Sequence, residues 1–150
     1  MNQAIQEQPG TKTTERPLYS PGLEGVIAGE SALCQVDEGE AGLRYRGYAI
    51  GDLAKWSRFE EVAYLLLIGH LPTRSELDSF STLLRGHRVL PDPVQRFIDS
   101  LQPGLHPMDV LRTGISLLGL SDPDAQVGSH EANLRKSMRL LSQIPLLIAH

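Results

Sequence analysis

The sequence predicts a mainly α-helical protein preceded by a small β-hairpin. Three observations predict it. Helix-start signals recur at short intervals from Ser57 onward, apolar residues follow each of them at helical spacing, and strict two-residue alternation is confined to the stretch between Val26 and Arg46.

Residues 1–20 read as a flexible leader. They are rich in Gln, Thr, Lys and Glu with few apolar side chains, so burial cannot offset the entropy of ordering them, and disorder is expected to about Arg16. Then Ala32, Cys34 and Val36 alternate with Leu33 and Gln35, a charged turn runs from Asp37 to Gly42, and Leu43 and Tyr45 alternate with Arg44 and Arg46. That pattern is a hairpin. An isolated hairpin is marginal in water, so this one is expected to rest on the helices that follow.

Ser57 and Glu60 have the spacing of a capping box, with Phe59, Val62, Ala63 and Leu66 as the apolar face, Gly69 as the stop and Pro72 beyond it. Thr73 and Glu76 repeat the box for a second helix with Leu77, Phe80 and Leu84 inside and Gly86 at its end. A third helix is expected from an Asp92 cap and Pro93, burying Val94, Phe97, Ile98 and Leu101 and ending near Ser100. Pro107 opens a fourth, with Asp109 in its first turn and Met108, Leu111, Ile115 and Leu118 at helical spacing. Gly114 in its middle costs about 1 kcal/mol relative to Ala, which points to close approach by another backbone. Ser129 starts a fifth helix, lined by Leu134, Met138, Leu141 and Ile144, in which Pro145 is expected to produce a kink. The sequence stops at His150 in an apolar run, Leu146, Leu147 and Ile148, that is expected to lie uncovered, and this ending reads as that of a truncated chain.

Composition narrows the function. A net charge of −4 with mixed signs gives no basic stripe for a phosphate backbone, and no apolar run is long enough to span a bilayer, so neither nucleic acid nor membrane is expected as a partner. The single cysteine, Cys34, forms no internal disulfide and is read as a small buried hydrophobe. Glu7 and Glu15 do not suit a presequence, and a cytoplasmic location is expected.

Among candidate chemical groups, His70 and His87 follow helix-closing glycines and are read as loop residues, and His130 as a solvent-facing residue of a first helical turn. His106 beside Asp109 could form a base with its orienting carboxylate, but no nucleophile motif accompanies it, and capping of the fourth helix is the preferred reading. Arg44 and Arg46 would share one strand face and could hold an anion, although salt bridges to a neighbouring segment explain them as well. Gly22, Gly25 and Gly29 match no phosphate-loop pattern. No catalytic, cofactor-binding or metal-binding residue is therefore assigned.

Four segments taken together are specific: GLEGVIAGESALCQV from Gly22, GLRYRGYAIGDLA from Gly42, FEEVAYLLLIGHLPT from Phe59 and HPMDVLRTG from His106. They resemble the amino-terminal part of citrate synthases. The resemblance implies that residues 21–150 are part of the large domain of a mostly helical, dimeric enzyme, without its carboxyl-terminal catalytic part. It implies an acyltransferase of the tricarboxylic acid cycle that condenses acetyl-CoA with oxaloacetate, using no cofactor beyond its acyl-CoA substrate. It further implies a homodimer packed through the helices near 92–100 and 107–119. A 2-methylcitrate synthase using propionyl-CoA and a non-catalytic helical dimerisation module are the alternatives. None of the family's catalytic motifs matches a position here, so the chain alone is expected to be inactive.

Overall fold

The computed structural model describes residues 29–36 and 42–149. The leader and the 37–41 turn expected from the sequence lie outside them. The chain divides into a unit of residues 1–31 and a unit of residues 32–150, and every element named below lies in the second.

Strands β1 (Cys34–Val36) and β2 (Leu43–Tyr45) pair antiparallel with Cys34 opposite Tyr45 and Val36 opposite Leu43, as the alternation predicts. The sequence did not suggest β3 (Tyr48–Ala49), which folds back on β2 so that Tyr45 faces Tyr48. The joint is the dipeptide Arg46-Gly47, with φ of 48° and 88°. Positive φ at both central residues matches the right-handed twist of a tight hairpin. Arg46 therefore leaves the strand, and the expected Arg44/Arg46 face does not exist. Cys34, expected inside, is exposed on the edge strand.

A short helix α1 (Ile50–Trp56) follows directly and packs on β2 and β3. Its sequence carries a glycine at the second position and buries only Leu53, so neither capping nor periodicity announced it. Its presence moves the next boundary. Ser57, expected as a cap, instead closes α1 by donating its N–H to the Leu53 carbonyl. The N-cap of α2 (Phe59–Ile68) is Arg58, and Glu61 rather than Glu60 reaches back, accepting from the Arg58 N–H at 2.7 Å. The buried face also differs: Ala63 and Leu65 are inside while Phe59 is 64 % exposed. Apolar residues occupy every position from Val62 to Ile68, so periodicity had no stripe to select.

The next helices follow their signals closely. In α3 (Arg74–Gly86), Thr73 and Glu76 form the reciprocal box: the Glu76 N–H donates to the Thr73 hydroxyl, and the Thr73 N–H donates to the Glu76 carboxylate at 2.7 Å. Helix α4 (Asp92–Asp99) begins one residue earlier than expected, with Pro91 at the cap and Asp92 already helical. In α5 (Pro107–Ser121) Met108 is 61 % exposed, contrary to expectation, and the buried positions are Gly114 and Leu118. Helix α6 (His130–Ala149) is capped by Ser129, whose hydroxyl accepts from the Ala132 N–H, and it runs through Pro145 without ending.

Two apolar clusters hold the helices together. One joins Ala63 of α2, Phe80 and Leu84 of α3, and Met138 and Leu141 of α6. The other joins Val94 of α4, Leu118 of α5, and Leu140 and Leu147 of α6. Gly114 belongs to the second. A Cβ there would lie 2.5 Å from the Leu147 side chain, so the close approach comes from a side chain of α6 and not from another backbone. Leu147, expected to lie uncovered, is buried by this contact, whereas Ile148 is 65 % exposed.

The Asp122–Gly128 loop is tied to α6 by charge. Arg139 donates to both Asp122 oxygens at 2.7 and 2.8 Å and to Asp124 at 2.6 Å, and Arg135 donates to both oxygens of Asp124 at 2.6 and 3.0 Å. Burial pushes the Asp122 carboxyl up, but hydrogen bonds from Arg139 and the Asp124 N–H, with the Arg139 charge, outweigh it and leave it lowered. Asp124 is held well below the carboxylate range, first by hydrogen bonds from Arg135 and then by those from Arg139. Bidentate guanidinium–carboxylate pairs of this kind are the strong members of their class.

Two outcomes are expected. Gly114→Ala should lose about 1 kcal/mol in urea denaturation, since overpacking of about 1–3 kcal/mol is offset by about 1 kcal/mol of helix propensity. Leu147→Ala alone should lose about 2–5 kcal/mol, and the double variant should lose about 0.5–3 kcal/mol less than the sum, because the added methyl enters the space vacated. Strict additivity would contradict the contact. The second outcome concerns pH. Both aspartates have folded values below the ordinary 3.8, so their stabilisation is complete above about pH 5 and is lost as pH falls through the depressed values. Asp124→Asn should lower the melting temperature at about pH 7, and its difference from the native chain should shrink towards about pH 2. A difference independent of pH would show that the charge contributes nothing.

Candidate functional site

The joint between α2 and α3 gathers several polar groups. Tyr64 meets His70 and Phe80 edge-on, at centroid distances of 5.5 and 5.3 Å. Burial, then the charge and hydrogen bond of Glu76, push the Tyr64 hydroxyl up. Glu76 is lowered, first by the Thr73 backbone N–H and then by the Thr73 hydroxyl, with smaller contributions from His70 and Tyr64. One carboxylate therefore caps α3 and also ties it to α2. The His70 Nδ1 lies 3.1 Å from the Leu71 carbonyl, so its ring is held beside this joint. The sequence located the capping box but not Tyr64, whose role depends on the chain doubling back after Gly69.

His106 has the role preferred for it. Its Nδ1 accepts from the Met108 N–H at 3.3 Å at the start of α5. Asp109 pairs instead with Arg112 at 3.0 Å, on an exposed face, so the His106/Asp109 base pair is not formed. His87 caps the end of α3 with its backbone N–H and is half-buried rather than loop-exposed, and His130 is exposed in the first turn of α6. Arg44 donates to the Gly47 carbonyl, and Arg46 turns inward to the Leu66 carbonyl at 3.4 Å, close to Gly69. These contacts brace the sheet against α2 and leave no paired anion fork. Glu60 lines a surface cleft, and Glu61 is engaged with Arg58. Among the described residues no group of three or more His, Cys, Asp or Glu could hold a metal ion.

Two open features among the described residues are apolar. A groove of about 460 Å³ between α2 and α6 is lined by Phe59, Leu66, Leu67, Leu140, Leu141 and Ile144. A second hollow, also about 460 Å³, lies where Leu105, Met108 and Leu111 at the start of α5 meet Leu147 and Ile148 of α6. Such surfaces offer packing and no acid–base chemistry. Among the described residues no helix is long and apolar enough to cross a membrane.

Comparisons with known proteins find the same helical scaffold. Residues 22–150 match the family model described as citrate synthase, C-terminal domain. A 2-methylcitrate synthase of Shewanella oneidensis is 41% identical over 90% of this chain and 35% of its own length. A citrate synthase of Mycolicibacterium smegmatis is 40% identical over 91% of this chain and 36% of its own. The crystal structure of citrate synthase from Thermotoga maritima superposes with a TM-score of 0.73 at 36% identity, covering 86% of this chain and 33% of that one. The chain thus spans about a third of the length of the relatives it matches. With the family's model matching all but the first 21 residues and the helical order shared with a solved member, this chain belongs to the citrate synthase family.

Proposed function

We propose that these residues form the amino-terminal part of the large domain of a citrate synthase, a cytoplasmic acyltransferase that condenses acetyl-CoA with oxaloacetate in the tricarboxylic acid cycle. In that reaction the acetyl methyl carbon loses a proton and attacks the ketone carbon of oxaloacetate, and water then cleaves the thioester to give citrate and CoA. The observation that carries the reading is the match of residues 22–150 to one family whose named relatives perform this type of condensation. The part played by this chain is mechanical. Its two apolar clusters fix the helices, while Glu61, Glu76 and His106 are engaged in helix caps.

A second acyl donor is favoured by a specific observation. The Shewanella relative, a 2-methylcitrate synthase, is as similar as the Mycolicibacterium citrate synthase, at 41% against 40% identity, so propionyl-CoA is the alternative substrate. A homodimer through α4 and α5 is part of the same proposal. Leu105 at 52 %, Met108 at 61 % and Leu120 at 84 % exposure leave apolar surface at both ends of α5 that a partner would cover.

The test is release of free CoA thiol from acetyl-CoA and from propionyl-CoA by the full-length protein that contains this segment. Oxaloacetate-dependent release is expected, the preferred thioester distinguishes the two synthases, and the 150-residue chain is expected to release none. No release by the full-length protein with either thioester would sink the proposal. For the dimer, Met108→Asp should shift the sedimenting species of the full-length protein towards monomer, and an unchanged dimer would place the interface elsewhere.

A further inference from the structure

Arginines converge on a cleft of about 320 Å³ between the start of α2 and one face of α3: Arg58, Arg74, Arg85 and Arg88 line it, with Glu60 and Asp78 as its acids. On α3 the spacing of 74, 78, 81 and 85 follows the helical repeat, so these residues lie along one stripe, and Arg88 extends the cleft lining just beyond the helix end. Arg74 pairs with Asp78 at 3.3 Å. Arg85 donates to the Thr82 hydroxyl at 3.0 Å, and among the described residues neither it, Arg58, Arg88 nor Glu60 makes an ion pair. Three guanidiniums therefore stand against one unpaired carboxylate in one concave site, on a chain whose overall net charge is −4.

From this convergence we infer that the α2/α3 cleft is a binding site for a small oxyanion carrying two or more negative charges. Guanidinium groups present planar forks that match phosphate and carboxylate oxygens two at a time. A concave wall concentrates their field, and a multivalent anion relieves the mutual repulsion of the arginines. The size and lining select the class further. The lining named above is polar with no aromatic ring, and Leu77 and Leu84 are its apolar members, so it offers no stacking platform for a nucleobase. Compact pyrophosphate-like or polycarboxylate anions fit these conditions. The inference does not rest on the proposed condensation, because it is argued from the charge and shape of the cleft alone.

The test uses the native chain and leaves its sequence intact. Arginine-selective modification with phenylglyoxal, read by peptide mass spectrometry, is run at constant ionic strength with sodium chloride alone, with pyrophosphate, and with citrate. Protection of Arg58, Arg85 and Arg88, with exposed Arg112 modified equally in all three, is the expected result. Pyrophosphate protecting without citrate assigns the phosphate source, and citrate protecting alone assigns the polycarboxylate source. Equal modification of the cleft arginines in every condition, or protection of Arg112 to the same degree, would overturn the site. In calorimetric titration, Arg58→Gln combined with Arg88→Gln should weaken binding of the protecting anion about tenfold or more, and Arg112→Gln should leave it unchanged. An unchanged affinity in the double variant would also overturn it.

Discussion

The packing of α2 to α5 depends on α6 serving two cores at once. Met138 and Leu141 face the α2/α3 cluster, while Leu140 and Leu147 face the α4/α5 cluster, so among the described residues one helix of 20 residues is the only element shared by both. A helix can do this because positions three and four apart fall on one face, while intervening positions point elsewhere. Neither pair of helices closes a core of its own. A large-to-small change on α6 therefore opens contacts in the cluster it faces and also loosens the helix that orients the other.

Two devices hold α6 in place along its length. Near its first half, Arg135 and Arg139 clamp Asp122 and Asp124, which prevents the long loop after α5 from drifting. Near its end, the missing side chain of Gly114 admits Leu147, so that α5 and α6 approach more closely than an alanine would allow. Pro145 lies between. It lacks the N–H that would bond the Leu141 carbonyl, yet the flanking side chains Leu141 and Leu147 are each packed, so tertiary contact carries the helix past the defect. The buried Ser142 hydroxyl is satisfied within the same turn by the Met138 carbonyl at 2.8 Å.

Capping fixes the polar side chains at several helix starts. The helix-capping groups have their hydrogen bonds committed: Glu76 to Thr73, His106 to Met108, Glu61 to Arg58. These bonds hold each side chain in one orientation at its helix start. The apolar hollows border α6, and arginines line the cleft between the start of α2 and α3.

Local chemistry made several elements legible in the sequence. Thr73 with Glu76, and His106 through its Nδ1, each satisfy orphan backbone groups within one turn, and such contacts depend on few residues beyond their own segment. Alternation likewise placed β1 against β2. Other features needed the folded chain. Ser57 and Glu60 have the spacing of a cap, but the arrival of α1 against the sheet uses Ser57 first and passes the role to Arg58 and Glu61. The apolar run of α2 from Val62 to Ile68 acquired a buried face only when α3 and α6 chose one side of it. Gly114 announced a close approach but could not name Leu147, and the Asp122, Asp124, Arg135 and Arg139 network joins residues separated by 11 to 17 positions across a loop. By itself the sequence determined the family and those helix starts whose capping partners lie within one turn. Tertiary structure decided which faces are buried and which charges are paired, because both depend on surfaces brought together from distant segments.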